Sequence, residues 1–177
     1  MWDRLGHMRV FGIDCGTNCT GYGVVDVQYG ARETRLIAVA AGGLKLTKDQ
    51  PLPLRLAYIY NELSALLAMH RPEVVAVEGV FYSVNAKSAL KLGHVRGVAL
   101  LAAAMQGLPV AEYAPLTIKS AVVGYGMAQK EQVQFMVARL LGLDHAPEPA
   151  DAADALAIAI CHVHTAQTLT LQAESRA

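Results

Sequence analysis

Four consecutive apolar residues, Val74, Val75, Ala76 and Val77, stand between Pro72–Glu73 and the carboxylate of Glu78. A run this short and this apolar, bounded by a helix breaker, reads as a strand that the fold must bury, and a charge at its end then needs a partner. The same form occurs near the start of the chain, where Arg9-Val10-Phe11-Gly12-Ile13 closes on Asp14. A Gly-rich segment over residues 15–21 turns the chain into a second strand over residues 22–27, and a third follows over residues 35–42. Spacing this short implies hairpins and antiparallel pairing.

After Pro51 and Pro53 the apolar period changes. Leu56, Ile59, Leu63, Leu66 and Leu67 recur at helical spacing until Pro72. The strand at residues 74–77 precedes a long helix over residues 84–106, a strand over 109–113 and a short helix over 115–122. Val133, Met136, Val137, Leu140 and Leu141 form the stripe of another helix, stopped by Gly142. A last helix is expected over residues 151–164, with a polar, frayed tail beyond Thr165. This order gives an α/β fold: a mixed five-stranded sheet, three early antiparallel strands followed by βαβ connections, flanked by helices. The expected layout is an N-terminal extension over residues 1–7, one domain over 8–165 and a flexible tail over 166–177.

Composition narrows the function classes only a little. Hydrophobic residues make up 54% of the 177 positions and aromatics only 6%, which suits Ala-, Val- and Leu-rich helices packed on one sheet. The formal net charge is zero, so any anionic partner would have to be met by a local basic face. The most apolar stretch after residue 97 is broken by Gln106, Gly107 and Pro109, too early for a membrane span. The first seven residues lead into no apolar signal region. Cys15, Cys19 and Cys161 are an odd count without a disulfide framework, which fits a cytoplasmic protein with free thiols. A zinc site from these cysteines with His162 and His164 is disfavoured, because residues two apart on a helix face different ways.

The chemistry lies in four carboxylates. Asp14 and Glu78 each end a strand, and neighbouring strands about 4.8 Å apart would bring them together. Asp151 and Asp154, three apart at a helix start, share a face. Each alone has a plainer reading: a turn residue for Asp14, a helix cap and a first-turn acid for the pair. Clustered, they cannot all stay ionised, since two charges 4 Å apart repel by about 4 kcal/mol at an effective dielectric near 20. Either some protonate or cations sit between them, and hard oxygen donors suit Mg²⁺ or Mn²⁺. A pair of such ions would serve the attack of water on a phosphodiester.

Several blocks together resemble the RuvC Holliday-junction resolvases, which have an RNase H-like fold. They are Gly12-Ile13-Asp14-Cys15-Gly16 with the segment Thr20 to Val25, then Glu78-Gly79-Val80-Phe81 with Asn85. Ser88 to Gly93 with Arg96 to Ala99, Lys119 to Gly126, Lys130 to Val133 and Asp151 to Ala157 complete the set, in order over residues 8–164. The resemblance implies a homodimeric endonuclease that resolves four-way DNA junctions by two symmetric nicks. It implies Asp14, Glu78, Asp151 and Asp154 as metal ligands and RuvA and RuvB as branch-migration partners. The sequence departs from the family pattern at Cys15 in place of proline, Asn18 in place of a basic residue and His94 in place of glutamine. Cys15, beside a ligand, would confer sensitivity to thiol reagents, and Asn18 would lack one DNA contact.

On that reading Lys87, Lys91, Arg96, Lys119 and Lys130 are expected to contact phosphates, and Phe81 to stack on an unpaired base. Gly93 and Gly97, four apart on the long helix, would let a partner helix approach. Two other readings stand beside it. One is a non-catalytic junction-binding scaffold. The other is an actin-like phosphotransferase, for which Asp14-Cys15-Gly16-Thr17 resembles a first phosphate loop but no second loop is present.

Overall fold

The structure, a computed structural model, describes residues 7–30, 34–47, 49–79 and 86–175. In chain order the elements are β1 His7–Asp14, β2 Cys19–Tyr29, β3 Thr34–Lys45, α1 Leu52–His70, β4 Val74–Glu78, α2 Ala86–Met105, β5 Val110–Tyr113, α3 Pro115–Val123, α4 Lys130–Leu140 and α5 Ala150–Glu174. The five strands form one sheet in the order β3-β2-β1-β4-β5. The β1–β2 and β2–β3 pairs are antiparallel, and β4 runs parallel to both β1 and β5. This is the mixed sheet that the early hairpins and later βαβ order predict.

Side-chain alternation divides the core in two. Met8 and Val10 of β1, Val25 and Val27 of β2, and Val74 and Ala76 of β4 face α3, α4 and α5. Phe11, Ile13, Val24, Val75 and Val77 face the other way, onto Ile59, Leu63 and Leu67 of α1 and Val95 and Ala99 of α2. Each large aliphatic side chain buried this way stabilises the fold by about 1.5–3 kcal/mol.

At Gly12, Gly21 and Gly23 the N-terminal half of helix α5 seats on the sheet with no strand side chain beneath it. A Cβ placed on Gly12 would stand 2.0 Å from the Ala155 carbonyl oxygen, and one on Gly21 would stand 2.0 Å from that of Asp151. At Gly23 it would meet Leu156 at 2.7 Å. Ala152, Ala153, Ala155 and Ala159 on the helix are fully buried. Gly21, which read as part of a turn, is thus a strand residue kept small by the helix above, and β2 begins at Cys19, opposite Lys45 of β3.

Strands β2 and β3 are longer than the sequence reading, and two end boundaries also differ. His7 is the first residue of β1 and opposes Gln28. Helix α5 runs on to Glu174, where a frayed tail was expected beyond Thr165. Along its polar end the hydroxyls of Thr165, Thr168 and Thr170 donate back to the carbonyls of Cys161, His164 and Ala166 at 2.8–3.0 Å, which satisfies them locally within the helix.

Candidate active site

The register positions the first two carboxylates. Gly12 opposes Ala76 and Ile13 opposes Val77 across the parallel β1–β4 pair, so Asp14 and Glu78, one residue on, end neighbouring strands. The period of two puts both on the face that α5 covers. Helix α5 supplies the others: Asp151 lies in its first turn, with its backbone on Gly21, and Asp154 is three residues on. Asp14, Glu78 and Asp154 line one cleft of about 240 Å³, together with Lys119, Lys130 and an apolar wall that includes Ile118 and Val133. Asp151 is not among the residues that line it; its charge instead helps to raise the Cys19 thiol, after burial.

Electrostatics follow from the crowding. Burial, then the charges of Asp154, Glu78 and Asp151, push Asp14 up to about 7, with Lys130 opposing. Burial and Asp154 also raise Glu78 above the usual carboxylate range, and Lys119 opposes that rise. Lys130 holds Asp154 at 2.6 Å, and that hydrogen bond raises the lysine in turn. Among the described residues no three His, Cys, Asp or Glu side chains are already gathered close enough to hold an ion. The donor set nevertheless fits a hard divalent cation, because the carboxylates lining the cleft are anionic oxygens short of counter-charge. A cation would replace the proton on Asp14 and relieve the repulsion.

The basic residues expected on phosphates separate into three groups. Lys119 and Lys130 line the carboxylate cleft. Lys87 and Lys91 lie exposed on α2. Arg96 is turned inward and only 15% exposed: it donates to the Glu78 backbone carbonyl at 3.3 Å and pairs with Glu112 of β5. That makes it a brace for the end of β4, since both donors face protein oxygens. Phe81, with Val80 and Asn85, lies outside the described residues. Gly93 and Gly97 have nothing within 4 Å of an added Cβ, so packing on their own sheet does not explain them. They share an exposed face of α2 with Leu90 and Leu101.

Cysteine chemistry is quieter than the sequence suggests. Burial, then Asp14, push the Cys15 thiol up to about 12. It stays protonated and a poor nucleophile, against the expected reagent sensitivity. His162 bonds the Tyr113 hydroxyl at 2.8 Å and His164 bonds the Ala121 carbonyl at 2.8 Å, so neither ring is arranged with the cysteines. Sequence reasoning missed three features: the Gly12–Gly21–Gly23 seat, Glu112 as the partner of Arg96, and the Gln129–Gln132 capping box that starts α4 beside Lys130. The first left a signal, since glycines two apart on a strand share a face.

Comparison with known proteins agrees with this geometry. The family profile described as crossover junction endodeoxyribonuclease RuvC matches residues 10–162. The protein of that name from Acidobacterium capsulatum is 66% identical, over 93% of this chain and 98% of its own length. That of Koribacter versatilis is 63% identical, over 92% and 96%. The solved structure of Thermus thermophilus RuvC superposes with a TM-score of 0.82 at 39% identity, covering 91% of this chain and 96% of that one. The same protein in complex with a Holliday junction substrate gives 0.82 at 35% identity, with the same coverage. With sequence and fold in accord along nearly its whole length, this chain belongs to the crossover junction endodeoxyribonuclease RuvC family.

Proposed function

We propose that the chain, a crossover junction endodeoxyribonuclease by family, resolves four-way DNA junctions by paired symmetric nicks in recombination and repair. Asp14, Glu78, Asp151 and Asp154 serve as ligands of Mg²⁺ or Mn²⁺, two ions per site. One observation carries the reading: Asp14, Glu78 and Asp154, from two strand ends and a helix, line one cleft with two lysines. Held there, the ions supply Lewis acidity for the attack of water on a phosphodiester. The chain supplies the rest. The apolar wall of Ile118 and Val133 limits water, Lys119 and Lys130 offer ammonium groups to an incoming phosphate, and Arg96 with Glu112 steadies the strand end that bears Glu78.

The exposed stripe of Leu90, Gly93, Gly97 and Leu101 on α2 supports a homodimer through this helix. Two copies would match the two-fold symmetry of a junction with two strands to cut. Phe81 stacks on an unpaired base, Lys87 and Lys91 meet phosphates, and RuvA and RuvB deliver the junction in the cytoplasm. Among the described residues no helix is long and apolar enough to cross a membrane.

The test is nicking of a mobile four-way junction, with linear duplex as control, in Mg²⁺, Mn²⁺ and chelator. Paired nicks are expected at symmetric positions, absent in chelator and with Asp14→Asn. Folded protein that binds the junction but cuts it with neither metal would instead be a scaffold.

A further inference from the structure

A second cleft, of about 200 Å³, opens on the opposite face of the sheet. Thr17 and Asn18 of the β1–β2 turn form one side, and Arg55 of α1 and Lys91 of α2 form the other, over Leu56 and Ile59. None of the residues lining it is an acid. Arg55 donates to the Thr17 carbonyl, and its Nε is buried with no hydrogen-bond partner. Among the described residues neither Arg55 nor Lys91 has a carboxylate within salt-bridge distance. The first turn of α1, which carries Arg55, has no acidic residue and no side-chain cap.

A half-buried guanidinium with spare donors and no counter-charge is an unbalanced arrangement. A second cation, a hydroxyl, an amide and a helix start share the cleft with it, and all are suited to the same partner: a tetrahedral oxyanion. The position selects which one. Thr17 is three residues from Asp14, at most about 10 Å of extended chain. The turn therefore separates the carboxylate cleft on one face from the cationic cleft on the other. A strand crossing the end of the sheet would present one phosphate to the first and a neighbouring phosphate to the second.

We infer that the Thr17–Asn18–Arg55–Lys91 cleft is a binding subsite for a non-scissile phosphate of the strand being cut. This rests on the nuclease reading of the carboxylate cleft. The subsite also acts as a ruler: it seats a phosphate beside the scissile one without touching the reacting atoms, and it supplies positive charge in a chain whose net charge is zero.

The experiment measures junction binding in chelator as a function of salt, for wild type, Lys91→Gln, Arg55→Lys and Arg55→Gln. Single methylphosphonates are walked along the phosphates that flank the cut. Lys91→Gln alters an exposed side chain and keeps the test informative if Arg55→Gln folds poorly. Lys91→Gln and Arg55→Gln, where folded, are each expected to lower the slope of log K against log salt by about 0.7–0.9, whereas Arg55→Lys keeps the charge and hence the slope. One flanking methylphosphonate should weaken wild type and cost the two glutamine variants less. Glutamine variants that keep the wild-type slope, or that suffer the full wild-type methylphosphonate penalty, overturn the inference. So does thermal stabilisation by inorganic phosphate at fixed ionic strength when no methylphosphonate position matters, which would mark a free-anion site. Wild type that binds but never cuts defeats the nuclease reading instead, and unchanged Lys91→Gln alongside normal cutting defeats the subsite alone.

Discussion

The β1–β2 hairpin carries an aspartate toward each end, and the two have opposite fates. Asp26 lies across from Arg9, which grips it through Nε at 2.6 Å and Nη2 at 2.8 Å, while His7 adds a contact at 2.9 Å. Burial alone would raise its carboxyl, but the Arg9 and His7 hydrogen bonds outweigh burial and hold it below its ordinary value. Asp14 lies across from Gly21, which offers no side chain at all. Burial and three neighbouring acids push it up to about 7. The same residue type on the same hairpin is structural where a cation opposes it and available for chemistry where a glycine does. Gly21 also makes room for Asp151, so one small residue both withholds a partner and admits a like charge.

Exchanging the two aspartates for asparagine tests the contrast most strongly. Asp14→Asn should cut junction nicking by at least about 100-fold, more than the loss of an outer-shell group costs a metal site, without lowering thermal stability. Asp26→Asn should do the reverse, costing about 2–3 kcal/mol in denaturant unfolding with nicking per folded molecule retained. A destabilised but active Asp14→Asn would break the comparison.

Next in size is Gly21→Ala, whose Cβ would meet a backbone oxygen at 2.0 Å. It should lower stability and nicking together, because α5 must lift. Loss of stability with full nicking would show that α5 tolerates displacement.

The pH dependence of metal-free stability should show both signs. Asp26 contributes stability that is complete above its unfolded pKa of about 3.9 and is lost as pH falls through its lower folded value. Asp14, raised to about 7, works the other way, so the protein loses stability as pH climbs from about 4 to about 7. Melting temperatures in chelator should therefore peak in the mildly acidic range. Asp14→Asn should flatten the upper limb, and saturating Mg²⁺ should flatten it too. A melting temperature that rises steadily to neutrality in chelator would contradict the assigned crowding.

The smallest effect is reserved for Lys130→Gln. Lys130 is the nearest thing to Arg9 at the carboxylate end, but it is 54% exposed and makes a single contact with Asp154. Unfolding should shift by less than about 1 kcal/mol. A larger loss would mean that this end too is internally compensated.

Much of this was legible in the chain. The five strands and their sequence along the chain followed from short apolar runs and turn spacing, and the convergence of Asp14 with Glu78 followed once their strands were neighbours. The elements themselves were legible because each is set by residues near in sequence. The partner of Arg96 was not legible because a cation on a helix looks the same whether it meets a phosphate or a glutamate, and Glu112 comes from a strand sixteen residues later. The extent of α5 was misread because its last turns are polar and exposed, with Leu169 and Leu171 unburied, so no apolar stripe marks them as helix. The cleft at Arg55 depends on a turn, α1 and α2 meeting, a three-body coincidence that no local pattern encodes.

The seating of α5 on bare glycines also has a mechanical meaning. Where the start of α5 rests backbone on backbone, at Gly12 and Gly21, there is no compliant padding, so its position there carries little slack, and Asp151 and Asp154 inherit that stiffness. Whatever give is needed to admit and release a DNA strand must then come from the facing wall, where α3 and α4 carry Lys119 and Lys130 on ordinary side-chain packing. The fold divides the jaw into a fixed anvil that bears the carboxylates and a springier opposing plate that bears the lysines.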